Sequence, residues 1–129
     1  MKQKSYAALK RELDRVWSIW VRKSASVNEY VRCVSCSTKD HWKNMQCGHF
    51  IPRHYLAGRW NADNCWPQCP VCNVFKRGNY PEFAAFLVKQ RGPKFLEELI
   101  ALKREQVKYT RADLQEKINQ VKAEIEALP

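Results

Sequence analysis

Apolar side chains return at helical intervals at both ends of this chain and lose that rhythm in the middle. Over residues 6–22, Tyr6, Leu9, Leu13, Val16, Trp17, Trp20 and Val21 share one face, and Ser5 stands where an N-cap is needed, so the pattern predicts an amphipathic, core-facing helix. The rhythm resumes at "NYPEFAAFLVKQRG", with Asn79 as cap, Pro81 in the first turn, Phe83, Phe86 and Leu87 apolar, and Gly92 as the stop. A short helix is expected over 94–105, carrying Phe95, Leu99, Ile100 and Leu102. A last one is expected over "TRADLQEKINQVKAEIEALP", opened by a capping-box pair, Thr110 and Asp113. Its Leu114, Ile118, Val121, Ile125 and Leu128 are spaced 4, 3, 4 and 3 residues apart. Such a seam suits a partner helix in a homodimer or the chain's own first helix equally well.

Residues 30–80 differ in texture and hold all six cysteines and all three histidines, so chemistry is expected there. A chain of 129 residues fits one domain and buries roughly two-thirds of its unfolded surface. The expected organisation is a first helix within 1–29, a cysteine-bearing core over 30–80 and a helical region over 81–129. Five tryptophans exclude disorder. Charge changes the picture more: 23 Lys and Arg against 13 Asp and Glu leave +10, an excess that a polyanion neutralises. Nucleic acid is therefore the expected partner. A membrane is disfavoured, because the sequence has no apolar run of membrane-spanning length and no amphipathic helix with an all-basic polar face. Nothing in the motifs points to a small-molecule substrate.

The start, "MKQKSYAALKRELDRVW", is charged throughout and lacks a secretory apolar stretch, so a cytoplasmic location is expected. In a reducing compartment cysteines read as metal ligands before disulfides. Cys33 with Cys36 ("CVSC") and Cys69 with Cys72 ("CPVC") form two knuckles 32 residues apart, the ligand set of a structural zinc, with rubredoxin-like iron and a redox CxxC as alternatives. Cys47 and Cys65 read as small buried hydrophobes that can face each other across a hairpin.

His49, in "QCGHFIPR", lies between the knuckles. Asn64 follows in "RWNADNCWPQC", and Asn73 comes directly after Cys72. This order of CxxC, His, basic loop, Asn and CxxC-Asn resembles the zinc-stapled ββα-metal (HNH) endonucleases in a His, Asn, Asn variant. More narrowly, "CGHFIPR", "RWNADNCWPQCPVCN" and the Gly-Asn of "KRGNY" are similar to the phage lambda NinG (Rap) recombination nucleases, over about residues 30–92.

The resemblance implies an α+β fold, a small zinc-stapled ββα-metal core flanked by N- and C-terminal helices, in a phage- or prophage-encoded endonuclease acting on branched recombination intermediates such as four-way junctions or D-loops. It implies that His49 is the general base, that Asn64 holds the hairpin turn and so orients His49, and that Asn73 ligates a catalytic Mg²⁺ or Mn²⁺. Many such enzymes carry an Asp ligand just before the histidine, where this chain has Gly48. The second ligand is then Gln46, His54, Asp63 or water alone, or the protein is a non-catalytic zinc-bearing DNA-binding accessory. Arg53, His54, Arg59, Lys76 and Arg77 bracket the site as candidate phosphate contacts. His41 is read as an exposed loop residue without a role.

Overall fold

The computed structural model describes residues 3–129, so positions 1 and 2 of the expected first segment lie outside the described residues. The fold is mixed α+β. Helix α1 spans Tyr6–Ser24, where the Ser5 hydroxyl accepts the Ala8 N–H at 3.1 Å and Arg22 and Lys23 sit at the negative end of the helix dipole. Its buried face is Leu9, Leu13, Val16, Trp17 and Val21. Two small antiparallel sheets follow. Strands β1 (Tyr30–Arg32) and β2 (Lys39–His41) pair in one, β3 (Gln46–His49) and β4 (Cys65–Gln68) in the other.

The short helix α2 (Leu56–Arg59) lies in the loop between β3 and β4, and a π-helical turn, Val71–Phe75, follows β4. Helices α3 (Tyr80–Arg91) and α4 (Pro93–Ala101) come next, broken at Gly92, whose φ of +85° is costly for any residue with a Cβ. The expected helix over 94–105 is regular only to Ala101. Leu102–Arg104 tightens into a 3₁₀ turn.

Helix α5 (Arg111–Glu126) opens on the expected capping box, with Asp113 N–H donating to Thr110 at 3.0 Å and Thr110 N–H to Asp113 at 2.8 Å. Its seam packs within the chain. Leu114, Ile118 and Val121 are buried against Leu9, Leu13, Val16 and Trp17 of α1, so a dimer would need a different surface. A second core, Phe83, Leu87, Phe95 and Leu99, joins α3 to α4 and receives Phe50 and Trp66 from the hairpin. The β3–β4 hairpin is thus held between two helical layers, α1 with α5 on one side and α3 with α4 on the other.

Candidate active site and metal centres

Each knuckle is a tight turn whose backbone N–H groups point at sulfur. Ser35 N–H meets Cys33 Sγ at 3.4 Å and Cys72 N–H meets Cys69 Sγ at 3.5 Å, contacts that favour thiolates. Asn79 takes the expected N-cap position of α3, but its side chain makes no capping bond there; its amide donates to Cys72 Sγ at 3.5 Å. The four sulfurs lie within 4.8 Å of one another, and Cys36 Sγ is 3.6 Å from Cys69 Sγ. Tetrahedral zinc with bonds of about 2.3 Å needs sulfur edges of about 3.8 Å, so the cluster fits zinc. The thiols are driven apart in acidity. Burial pushes Cys72 up to about 12, whereas at Cys36 burial is outweighed by hydrogen bonds with Thr38, Cys69 and Cys33 together, which bring it down to about 6. A dication among them would favour the thiolate at every one.

The register of β3 on β4 sets what faces what. Cys47 pairs with Pro67, Gly48 with Trp66 and His49 with Cys65. Because strand side chains alternate, Cys47, His49 and Cys65 emerge on one face and Gln46, Gly48 and Gln68 on the other. Cys65 therefore opposes His49, and Cys47 reaches it only diagonally, which differs from the expected Cys47–Cys65 facing pair. All six cysteines are free thiols.

The loop from β3 to β4 is closed by Asn64, which is fully buried. Its carbonyl accepts the Ile51 N–H at 2.8 Å, and its amide donates to the Ile51 and Gly58 carbonyls at 3.1 and 3.0 Å. This one side chain ties both ends of the loop and fixes the backbone leaving His49. The His49 Nε2 meets the Arg59 carbonyl at 2.9 Å. As donor to a carbonyl, Nε2 carries the hydrogen, which leaves one ring lone pair in the neutral imidazole. Burial favours the neutral ring, but the Cys65 thiol, the Arg59 carbonyl and the Asp14 carboxylate outweigh it and raise the His49 pKa.

A cavity of about 340 Å³ brings His49 and Asn73 together with Asp14, Cys47, Arg53 and Tyr80. Asn73 donates its amide to Gln46 Oε1 at 2.7 Å, which orients the Asn73 carbonyl oxygen as its remaining ligand atom. Of the other candidate ligands, Asp63 is paired with Arg91 at 2.9 Å and exposed His54 packs on Tyr55, and neither lines this cavity. Gly48 has a steric reason: a Cβ there would stand 2.1 Å from Gln68 Oε1 and 2.6 Å from its Cδ. Gln68 cannot withdraw easily, being fully buried with its amide anchored on Ser35 Oγ and the Gly78 carbonyl, both at 2.8 Å.

The basic candidates separate. Lys76, Arg77 and Arg53 are exposed. Arg59, read from sequence as a phosphate contact, is only 12% exposed and forks onto Asp14 at 2.6 and 3.0 Å. It is a partly buried brace between α1 and the loop. His41 is partly buried on β2, not in a loop, and caps the following 3₁₀ turn by accepting the Lys43 N–H at 3.1 Å.

Two residues escaped sequence reasoning. Asp14 accepts from Arg59, from Trp60 Nε1 at 3.0 Å and pairs with Arg53 at 3.7 Å, all across more than 35 residues of chain. Gln68 fills the space that a side chain at 48 would need. Neither carries a local signal, since both depend on tertiary neighbours.

The family model described as Bacteriophage Lambda NinG protein matches residues 1–129. No curated protein and no solved structure gives a match.

Proposed function

This chain belongs to the bacteriophage lambda NinG family, and from that premise we propose that it is a divalent-metal-dependent DNA endonuclease of the HNH type, acting on branched recombination intermediates inside the infected cell. The observation that carries the proposal is the shared cavity of His49 and Asn73, 24 positions apart in sequence, at a hairpin whose loop Asn64 locks and whose ends the four cysteines staple. His49, its Nε2 engaged by Arg59, takes the proton of the attacking water on its free lone pair. Asn73, oriented by Gln46, would hold the cation through its amide oxygen, and hard oxygen donors suit Mg²⁺ or Mn²⁺. When bound, the cation polarises the scissile phosphate and stabilises the leaving oxygen.

Exposed Arg53, His54, Lys76 and Arg77 supply phosphate contacts within a charge of +10. Phe75, 80% exposed on the turn that carries Asn73, supports the branched substrate. A base left unstacked at a branch point finds an aromatic face there, next to two cations. The accessory reading rested on Gly48, and Gln68 gives that glycine a reason other than a lost ligand. Among the described residues no helix is long and apolar enough to cross a membrane.

The test is cleavage of a labelled four-way junction across a Mn²⁺ titration by wild type and Asn73→Ala at equal zinc content. The expected result is a rate lower by about 10²-fold or more and a higher Mn²⁺ requirement in the variant. Equal rates at equal metal would remove Asn73 from the site.

A further inference from the structure

The two cysteines outside the knuckles stand beside the histidine assigned as base. Cys47 Sγ, Cys65 Sγ and a ring nitrogen of His49 all lie within 4.8 Å of one another, on one face of the β3–β4 hairpin. This is the donor set of a three-ligand zinc site, two thiolates and one imidazole, and tetrahedral zinc asks for separations of about 3.5 to 3.8 Å among them. Closing the set needs shifts of under roughly an ångström.

The surroundings match what such a site requires. His49 Nε2 meets the Arg59 carbonyl at 2.9 Å, and with Nε2 as the donor the ring keeps one lone pair, on Nδ1, for a metal. The Trp17 indole N–H is buried without a hydrogen-bond partner and lies near the Cys65 sulfur, an unspent donor that a bound thiolate could accept. Arg22, half-buried with its guanidinium on the Trp42 carbonyl at 3.2 Å, adds positive charge near Cys47. Cys47 and His49 line the 340 Å³ cavity, which gives an ion a route in and leaves a fourth position for water.

We propose that Cys47, His49 and Cys65 form a second zinc site, separate from the four-cysteine site, and that its occupation suppresses DNA cleavage by taking the lone pair His49 needs. The site stands on its own geometry, and only its consequence for cleavage rests on the nuclease reading. A neutral imidazole has one lone pair. Zinc on that pair leaves nothing to accept a proton from water, whichever nitrogen is bound. Free zinc would thus act against Mg²⁺ or Mn²⁺ at a different place in the same cavity.

The test uses the full-length protein equilibrated with Zn²⁺ under reductant and desalted, with metal counted per chain for wild type and Cys47→Ala. The expected result is about two zinc ions in wild type and about one in the variant, whose retained ion also reports that it has folded. Co²⁺ substitution gives a second readout, with thiolate-to-metal absorption falling in the variant by roughly a third as two of six thiolate bonds are lost. In parallel, a second equivalent of Zn²⁺ should lower Mn²⁺-supported cleavage by at least about tenfold in wild type and leave Cys47→Ala unaffected. A single zinc in wild type overturns the site. Two zincs with unchanged cleavage overturn its suppressing role. Two zincs with no cleavage at any loading uphold the site and refute the nuclease reading instead.

Discussion

The molecule holds two groups of soft ligands, and they are assembled in different ways. Cys33, Cys36, Cys69 and Cys72 come from two knuckles, each a local turn that presents its own pair of thiols, so only one long-range event is needed to bring the pairs together. Cys47, His49 and Cys65 owe their meeting to strand register. A slip of one residue between β3 and β4 would send Cys65 to the opposite face and dissolve the group. The first group could hold an ion from its two local turns, and the second depends on the hairpin having paired.

Removing the knuckle site is expected to have the largest effect. Cys72→Ala, or chelation, forfeits a binding free energy that for structural zinc is about 10 kcal/mol or more, and should abolish the cooperative melt seen by circular dichroism. A variant that melts like wild type would show that the staple is dispensable. Asn64→Ala should cost about 3 kcal/mol or more in urea unfolding, because it strands the buried Ile51 N–H and the carbonyls of Ile51 and Gly58 while freeing the loop that leaves His49. Cleavage should fall further than stability accounts for.

Gly48→Ala sharpens the contrast by pressing on the register from the other face. Contact with Gln68 should cost about 1–3 kcal/mol, and adding Gln68→Ala should relieve part of that cost, so the double mutant is less than additive. Strict additivity would mean Gln68 is not the obstacle. The smallest effect concerns α1, which carries Trp17 and Asp14 onto the second group. Glu12 is bound by Lys4 and by Lys122 of α5 at 2.9 Å, and these hydrogen bonds lower its pKa from 4.5 to about 2. A carboxylate depressed on folding stabilises fully above its unfolded pKa and loses that contribution as pH falls from about 4.5 toward 2. Wild type should therefore lose slightly more thermal stability over this window than Glu12→Gln, and parallel pH profiles would contradict the link.

What the sequence made legible follows the same division. The four main helices were readable from periodicity and caps, and the knuckles from spacing, because each rests on residues within a few positions of one another. Asn79 stands at the N-cap of α3 as expected, but its side chain serves Cys72 Sγ and not the helix, a contact that the knuckle's tertiary position creates. Arg59 looked like a free surface cation because Asp14 stands 45 residues away. Gly48 looked like a missing ligand because Gln68 meets it only after the hairpin pairs. The α5 seam was ambiguous for a related reason, since a 4-3-4-3 spacing does not say which helix it meets, and α1 answers it.

The most direct test of the central claim is cleavage of a labelled four-way junction and a matched linear duplex with Mg²⁺ or Mn²⁺, comparing wild type with His49→Ala at equal content of the knuckle zinc. The account predicts cutting that prefers the junction and falls by at least about 10²-fold in the variant, with DNA binding retained. Equal binding by both proteins and no cutting by either would contradict it, leaving a basic, zinc-stapled fold that holds DNA without acting on it.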